Sequence, residues 1–472
     1  MGGASCLVGS NPTLSAISRP DFDDPGLIGP ADVALLTDLY ELAMASSYER
    51  RELDRPAVFE LFARRLPPRR DWLLAAGLGP MLRLIEGLRF EPAQLDYLES
   101  IGFDSRFRRY LEGFSFSGDV DAMPEGTVCF ADEPLLRVTA PRIEAQLLET
   151  LLLNQVNFQT MIASKAARIV LAAGGGEPGA GESVIDFSPR RDHGLDAAMK
   201  VARCAAIAGC GGTSNVAAAM RYGLEAVGTM AHSYVLSFDD EQEAFRAFLT
   251  DHPERTVLLV DTYDSLEGVR NAIAASRDTG IALTGIRLDS GDLTELSRAA
   301  RRILDEAGFE RTTITASGDL EEARICELVA ARCPIDLWGV GTELGTSRDS
   351  PVVNGVYKLV ADQDPDGGWR PVAKRSEGKA TVGGAKQVFR RFEGETMAGD
   401  TIAAAAERRE GTPLLEPAMR GGRIVANESL ASIRERVDHQ LAALPDPIRL
   451  ATTDQRPAPY PVSWSEGLAT SS

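Results

Sequence analysis

Between residues 184 and 342, short β-like runs alternate with amphipathic stretches in a regular rhythm. The runs cover 184–187, 225–229, 256–260, 283–288, 312–316 and 336–340. The stretches 195–207, 241–249, 265–275, 293–307 and 320–331 repeat their apolar residues at helical spacing. Parallel strands cannot be joined by a tight hairpin and need a crossover, usually a helix. The rhythm therefore predicts βαβ units around a parallel sheet. A doubly wound sheet and a barrel share this pattern. No G-x-G-x-x-G follows the first run, which favours an α/β barrel, whose chemistry gathers at the carboxyl ends of its strands.

The flanks differ in texture. An amphipathic helix is predicted over 35–48, a strand over 56–63, and shorter strands near 126–130 and 135–138. A long helix over 145–172 ends at Gly174-Gly175-Gly176-Glu177-Pro178-Gly179-Ala180-Gly181, a flexible loop by composition. Glycine-rich, strand-like segments return over 355–392. The organisation expected is a leader at 1–30, an α+β domain at 31–150 with 355–440 packing back on it, a barrel domain at 151–354, and a tail at 441–472.

A chain of 472 residues has room for two or three domains of roughly 150 residues. Its formal charge of −19 disfavours binding to nucleic acid or to an anionic membrane. An anionic ligand must then be held by local cations and backbone N–H groups. Six scattered cysteines form no C-x-x-C pair and fit reduced thiols. No apolar run approaches the ~20 residues of a membrane span, and no signal peptide is evident. A cytoplasmic location is expected.

Read in order, the predicted strand ends carry charge and hydroxyls. Arg190, Arg191 and His193 come first, then Gly211-Gly212-Thr213-Ser214-Asn215, then Thr229 and His232. Asp261 and Asp264 follow, then Arg287, Asp289 and Asp292, then Ser317-Gly318-Asp319, then Gly341-Thr342. Glycines before a helix start leave N–H groups for phosphate, arginines clamp phosphate or carboxylate, and Asp pairs hold Mg²⁺ or ribose hydroxyls. Each piece alone reads as a turn or cap residue. Their joint occurrence at successive strand ends suits a phosphorylated sugar. A histidine among them can serve as base, metal ligand or phosphoryl acceptor.

Gly228-Thr229-Met230-Ala231-His232-Ser233 and Arg287-Leu288-Asp289-Ser290-Gly291-Asp292 together resemble the nicotinate phosphoribosyltransferase family. Leu36-Thr37-Asp38-Leu39-Tyr40-Glu41-Leu42, Asp186-Phe187-Ser188-Pro189-Arg190-Arg191 and Gly355-Val356-Tyr357-Lys358-Leu359-Val360 extend the resemblance over most of the chain. It implies an irregular, incomplete α/β barrel of the type II phosphoribosyltransferase kind beside an α+β domain built from both chain ends. It also implies ATP-coupled transfer of phosphoribosyl from 5-phosphoribosyl-1-pyrophosphate to nicotinate, with Mg²⁺ and ATP as co-substrate. His232 would carry the phosphoryl group and Asp261 would orient its ring. Asp289 would face the ribose and Mg²⁺, with the metal's full ligand set left open. Phe187 would stack on the pyridine ring. Tyr40, from the other subunit of a homodimer with a shared site, would cover its opposite face. Arg190, Thr229 and Arg287 would contact nicotinate or the ribosyl phosphate end. Ser317, Gly318, Asp319, Gly341 and Thr342 would bind phosphate.

One departure stands out. Ser188-Pro189 replaces a glycine usual before the arginines, which puts the placement of Arg190 in question. Ser214 stands where the nicotinamide-using sister family carries Asp. A hydroxyl can donate to the carboxylate of nicotinate, whereas an Asp would repel it. A third relative, which takes quinolinate without ATP, lacks the His232 motif. A non-catalytic ligand-binding barrel is the reading from a different class.

Overall fold

In a computed structural model, the described residues are 28–374, 381–450 and 459–469. Residues 1–27 of the expected leader, and 451–458 and 470–472 of the expected tail, lie outside them.

Six parallel strands form the central sheet: β1 (Val184–Asp186), β2 (Gly212–Thr213), β3 (Val257–Leu259), β4 (Gly285–Leu288), β5 (Thr313–Ala316) and β6 (Leu337–Val340). Their order is β2-β1-β6-β5-β4-β3. β2 and β3 end the order and do not pair with each other, so the curled sheet is an incomplete barrel. Leu258, Ile286, Leu288, Ile314, Ala316 and Val340 are fully buried. Helices cover the sheet, which is why these strands read as apolar runs without alternation. The strand expected at 225–229 does not form. Ala226 makes a single bridge to Thr213, because β2 is itself only two residues long and offers one rung.

Helix α1 (Leu39–Arg50) packs in the N-terminal domain, and α2 (Glu149–Ala173) runs 25 residues into the barrel side with most of its surface buried. The helix expected from 145 is interrupted at Leu147 and Leu148, which splits off Arg142–Gln146. The cause is local. Glu41 of α1 takes the Thr150 N–H at 3.2 Å and the Thr150 hydroxyl at 2.6 Å, so the α2 N-terminus is capped by a neighbouring helix.

The N-terminal sheet has seven strands in the order Trp369–Pro371, Gly355–Gln363, Pro56–Ala63, Pro134–Pro141, Asp119–Ala122, Glu416–Arg420 and Arg423–Ile424. Gly355–Gln363 is inserted beside Pro56–Ala63, with Tyr357 opposite Leu61. The Tyr357 ring stacks on Phe59 at 5.0 Å, and its hydroxyl donates to the Ala145 carbonyl. A four-stranded sheet (Thr412–Pro413, Lys386–Glu393, Thr396–Ala404, Val462–Trp464) is pinned to this one by the buried Lys386–Glu60 pair at 2.8 Å.

Beneath that smaller sheet, the Arg390–Asp400 pair is fully buried at 2.6 Å. The Tyr460 hydroxyl donates to Asp400, and the Tyr460 ring stacks on Phe130 at 3.8 Å. Glu133 is buried beside them. Burial, and then the negative charge of Asp400, push its carboxyl well above the ordinary range, so it is held as the acid. A raised carboxyl stabilises the fold below its unfolded pKa, and that contribution is lost as pH rises through the folded value. Glu133→Gln keeps the shape without the proton. Its melting temperature should match the parent near pH 5 and exceed it progressively toward pH 9, at up to about 1.4 kcal/mol per pH unit. Parallel curves in scanning calorimetry would refute this.

Candidate active site

Arg287 leaves β4 where four strand-end segments meet. Its Nε donates to Ser317 Oγ after β5 at 2.7 Å. Its Nη1 donates to Thr229 Oγ1 at 3.0 Å and its Nη2 to Asp289 Oδ1 at 2.6 Å. The guanidinium carbon stands 5.4 Å from the ring centroid of Phe187, which follows β1. Ser317 Oγ also donates to Asp289 Oδ1 at 2.5 Å. Burial raises the Asp289 carboxyl, but Ser317, Arg287 and the nearby His232 outweigh it and hold it below the usual range. Asp289 is therefore a stable, half-buried negative charge facing the mouth of the sheet.

Asp261, just beyond β3, accepts from the Asp289 N–H at 2.9 Å and the Ser290 hydroxyl at 2.7 Å, both through Oδ2. Its Oδ1 is buried without a protein partner. The expected bond from Asp261 to the His232 ring is not the one found. His232 Nδ1 shares a 3.2 Å hydrogen bond with Thr262 Oγ1 instead. Asp261 Oδ2 is bonded to the 289–290 turn, and the hydroxyl one residue later reaches the imidazole. A hydroxyl can donate or accept, so it can orient either tautomer. The ring itself opens the short helix His232–Val235.

Two glycines are steric requirements. A Cβ on Gly318 would lie 2.0 Å from the Asp289 carbonyl oxygen, and its φ is +87°. A Cβ on Gly339 would lie 2.6 Å from the Phe187 ring. Asp319 then takes a left-handed φ of +47°, uncommon for a side-chain-bearing residue. Gly341 and Thr342 open the short helix Thr342–Thr346 after β6, and the Phe187 N–H donates to the Val340 carbonyl.

The Ser188-Pro189 departure has a structural answer. Ser188 Oγ is buried, donates to Asp186 Oδ1 at 2.6 Å, and lies 3.2 Å from Asp192 Oδ2. The Arg191 N–H closes the turn on the Ser188 carbonyl, leaving Arg190 exposed at the lip. Asp186 accepts from Thr213 Oγ1 at 2.8 Å, and its carbonyl takes the Ser214 N–H. It thereby ties the loops after β1 and β2. Burial, and then Asp186, raise Asp192 to about 6. Ser214 Oγ is buried with no hydrogen-bond partner.

Phe187, Thr229, His232, Asp261, Arg287, Asp289 and Ser317 are thus joined by direct contacts or close charge coupling. Tyr40 is not among them. It is exposed on α1 and lines a separate cavity of about 370 Å³ with Glu149, Asn154, Asn157 and Val352. Sequence reasoning gave no role to Thr262 or Asp186. Thr262 was masked by the carboxylate beside it, and Asp186 by its place inside an apolar run. Among the described residues, no group of three or more His, Cys, Asp or Glu is arranged to hold a metal. A site that shares Mg²⁺ with substrate oxygens needs only one or two carboxylates, and Asp289 with the unpartnered Asp261 Oδ1 meets that requirement.

An incomplete barrel whose strand ends gather an arginine, a shielded aspartate, a histidine and glycine turns defines a phosphoribosyl-transfer class of site. Comparison with known proteins narrows the class. The nicotinate phosphoribosyltransferase N-terminal domain matches residues 35–157, and the nicotinate phosphoribosyltransferase family matches residues 183–349. A nicotinate phosphoribosyltransferase of Mycobacterium tuberculosis is 47% identical over 92% of this chain and 92% of its own. One from Bacillus subtilis is 45% identical over 76% of this chain and 73% of its own. The crystal structure of human nicotinic acid phosphoribosyltransferase superposes with a TM-score of 0.78 at 27% identity, covering 92% of this chain and 98% of that one. The chain belongs to the nicotinate phosphoribosyltransferase family and is an enzyme of that type.

Arg287→Lys replaces a three-point fork by a single point charge. It should lower kcat/KM by about 10²-fold, with a melting temperature within a few degrees of the parent. Steady-state kinetics beside thermal melting check this, and an active Lys variant would deny the fork its role.

Proposed function

We propose that the chain couples ATP hydrolysis to transfer of a phosphoribosyl group from 5-phosphoribosyl-1-pyrophosphate to nicotinate. The products are nicotinate mononucleotide, pyrophosphate, ADP and phosphate. The observation that carries the reading is the Arg287 junction, with Phe187, Thr229, Asp289 and Ser317 on one guanidinium and His232 close enough to act on Asp289.

Phe187 stacks on the pyridine ring while Arg190, Ser214, Thr229 and Arg287 meet its carboxylate or the ribosyl phosphate end. The Ser214 hydroxyl has no protein partner and can donate to that carboxylate. The ring nitrogen attacks the anomeric carbon as the bond to pyrophosphate breaks. Positive charge develops on the ribose, and Asp289, already ionised in the resting site, stands beside it. Ser317, Gly318, Asp319, Gly341 and Thr342 take the 5-phosphate. Mg²⁺, when bound, supplies charge neutralisation on the pyrophosphate, with Asp289 and Asp261 as its protein donors. His232 accepts the γ-phosphoryl group: an N–P bond forms as the P–O bond to ADP breaks, and water later cleaves N–P to release phosphate. Thr262 holds the ring for that step, and Asp261 acts through the 289–290 turn.

The chain works as a homodimer in this reading, with Tyr40 of the partner subunit closing over the pyridine. Leu36, Leu39, Tyr40 and Val352 are exposed large apolar residues of the N-terminal face and the 351–353 segment, which supports an interface there. No helix among the described residues is long and apolar enough to cross a membrane. A cytoplasmic location goes with the small-molecule substrates.

Incubation with γ-labelled ATP should leave acid-labile label on the parent and none on His232→Ala, which should also lose ATP-stimulated turnover. In a panel of nicotinate, nicotinamide and quinolinate, nicotinate should be preferred by at least about 10²-fold over nicotinamide. Preference for the amide would overturn the Ser214 assignment, and full ATP stimulation in the His232 variant would remove the phosphohistidine.

A further inference from the structure

Ser188 makes more contacts than one hydroxyl proton allows. Its Oγ lies 2.6 Å from Asp186 Oδ1 and 3.2 Å from Asp192 Oδ2. A serine carries a single O–H donor, so both contacts are hydrogen bonds only if one carboxyl is an acid that donates to Oγ. Asp186 is the one supported as an ion. Its Oδ1 also takes the Ser188 N–H at 2.9 Å, and its Oδ2 takes the Thr213 hydroxyl at 2.8 Å. Asp192 has no such support. Its Oδ1 is buried with no hydrogen-bond partner, which costs an ionised carboxylate more than an acid. Burial raises both carboxyls, with three donors working against it at Asp186, while burial and then Asp186 lift Asp192 to about 6.

The place of Asp192 gives that proton a consequence. Its Oδ1 lies against Gly345, in the helix Thr342–Thr346 that follows β6. A Cβ on Gly345 would collide with Asp192 Oδ1 and lie 2.5 Å from the Ser188 Cβ. The same two segments meet twice more. The Phe187 N–H donates to the Val340 carbonyl, and a Cβ on Gly341 would lie 3.3 Å from the Phe187 carbonyl oxygen. The loop that carries Phe187 and Arg190 is thus laid along the helix opened by Gly341 and Thr342, with the Asp192–Ser188–Asp186 chain at its far end. The other charges nearby do not replace that chain. His193, next in sequence, is exposed and its charge favours the ion of Asp192. Arg190 and Arg191 are exposed, and Glu343 of the helix pairs with Arg348 at 3.2 Å.

We propose that Asp192, as the neutral acid, is a positioning residue that latches the loop after β1 onto the helix after β6 and so holds the turn at Gly341 and Thr342 ready for the donor's 5-phosphate. This rests on the reading that Gly341 and Thr342 bind that phosphate. Ionisation removes the donated bond and sets a second carboxylate beside Asp186, so the loop separates from Gly345. A carboxyl raised on folding contributes fully below its unfolded pKa, and the contribution fades as pH rises through about 6.

Three variants separate the latch from ordinary packing. Asp192→Asn donates to Ser188 Oγ at every pH and Asp192→Ala at none, while Gly345→Ala forces the loop off the helix. In steady-state kinetics, the parent's KM for the phosphoribosyl donor should rise about tenfold relative to Asp192→Asn between pH 6 and 7.5, with kcat moving less. Taking the ratio cancels the donor's own titration. Asp192→Ala and Gly345→Ala should hold a raised KM at every pH, and Asp192→Ala alone carries this arm if Gly345→Ala does not fold. Hydrogen exchange of the ligand-free protein should show residues 188–194 and 342–346 better protected in Asp192→Asn than in the parent at pH 7.5, and alike in the two near pH 5.5. A ratio flat with pH, or an Asp192→Asn protein that behaves as Asp192→Ala does, would overturn the proposal. So would a latch that opens in exchange while KM stays unchanged. A parent that follows the expected pattern with nicotinamide in place of nicotinate would sink the proposed substrate and still support the latch.

Discussion

The guanidinium of Arg287 is the interaction on which the mouth of the half-barrel depends. A parallel sheet delivers its loops to one end but does not say how they are spaced. Arg287 sets that spacing by donating to Thr229, Asp289 and Ser317 while lying over Phe187. Three charge-oriented donors in one plane set directions as well as distances, which a lysine at the same place could not do. Glycines allow the approach: Gly318 lets the β5 loop lie on the Asp289 carbonyl, and Gly339 leaves room for the Phe187 ring.

A second layer supports the first. Asp261 holds the backbone of the 289–290 turn, so the Asp289 carboxylate is aimed by a hydrogen bond to its own N–H. Asp186 ties the loops after β1 and β2 by accepting from Ser188 and Thr213. Asp186, and Oδ2 of Asp261, are committed to backbone or hydroxyl donors. They act as rivets for the turns that carry Asp289 and Phe187.

The sequence made the strand–helix rhythm legible because apolar runs in a sheet covered on both faces need no alternation. It also made Arg287, Asp289, His232 and the glycine turns legible, since their residue types stand at strand ends. What stayed hidden depended on register and on distance along the chain. The 225–229 run has strand composition but meets a two-residue partner, so it makes one bridge. The choice of Thr262 over Asp261 at the His232 ring turns on which of two adjacent side chains faces it, and the run in sequence does not say. Lys165, Arg70 and Asp349 lie up to 279 residues apart and look like ordinary surface charges until folded.

The same long-range closure explains why the chain ends are spliced into one sheet. Gly355–Gln363 follows the last barrel loop directly and pairs with Pro56–Ala63, so the segment leaving the barrel is anchored as soon as it emerges. Tyr357 reaches back to the Ala145 carbonyl, just ahead of α2. α2 then carries Lys165 to Glu322, at the start of the helix Glu322–Ala330, and to Asp349, past the helix Thr342–Thr346. Arg70 of the N-terminal domain grips both oxygens of Asp349, so a displacement of that domain is passed directly to the segment after the helix Thr342–Thr346. The N-terminal domain, α2 and the segments that follow β5 and β6 thus share one set of buried ions, which ties the domain boundary to the carboxyl end of the sheet.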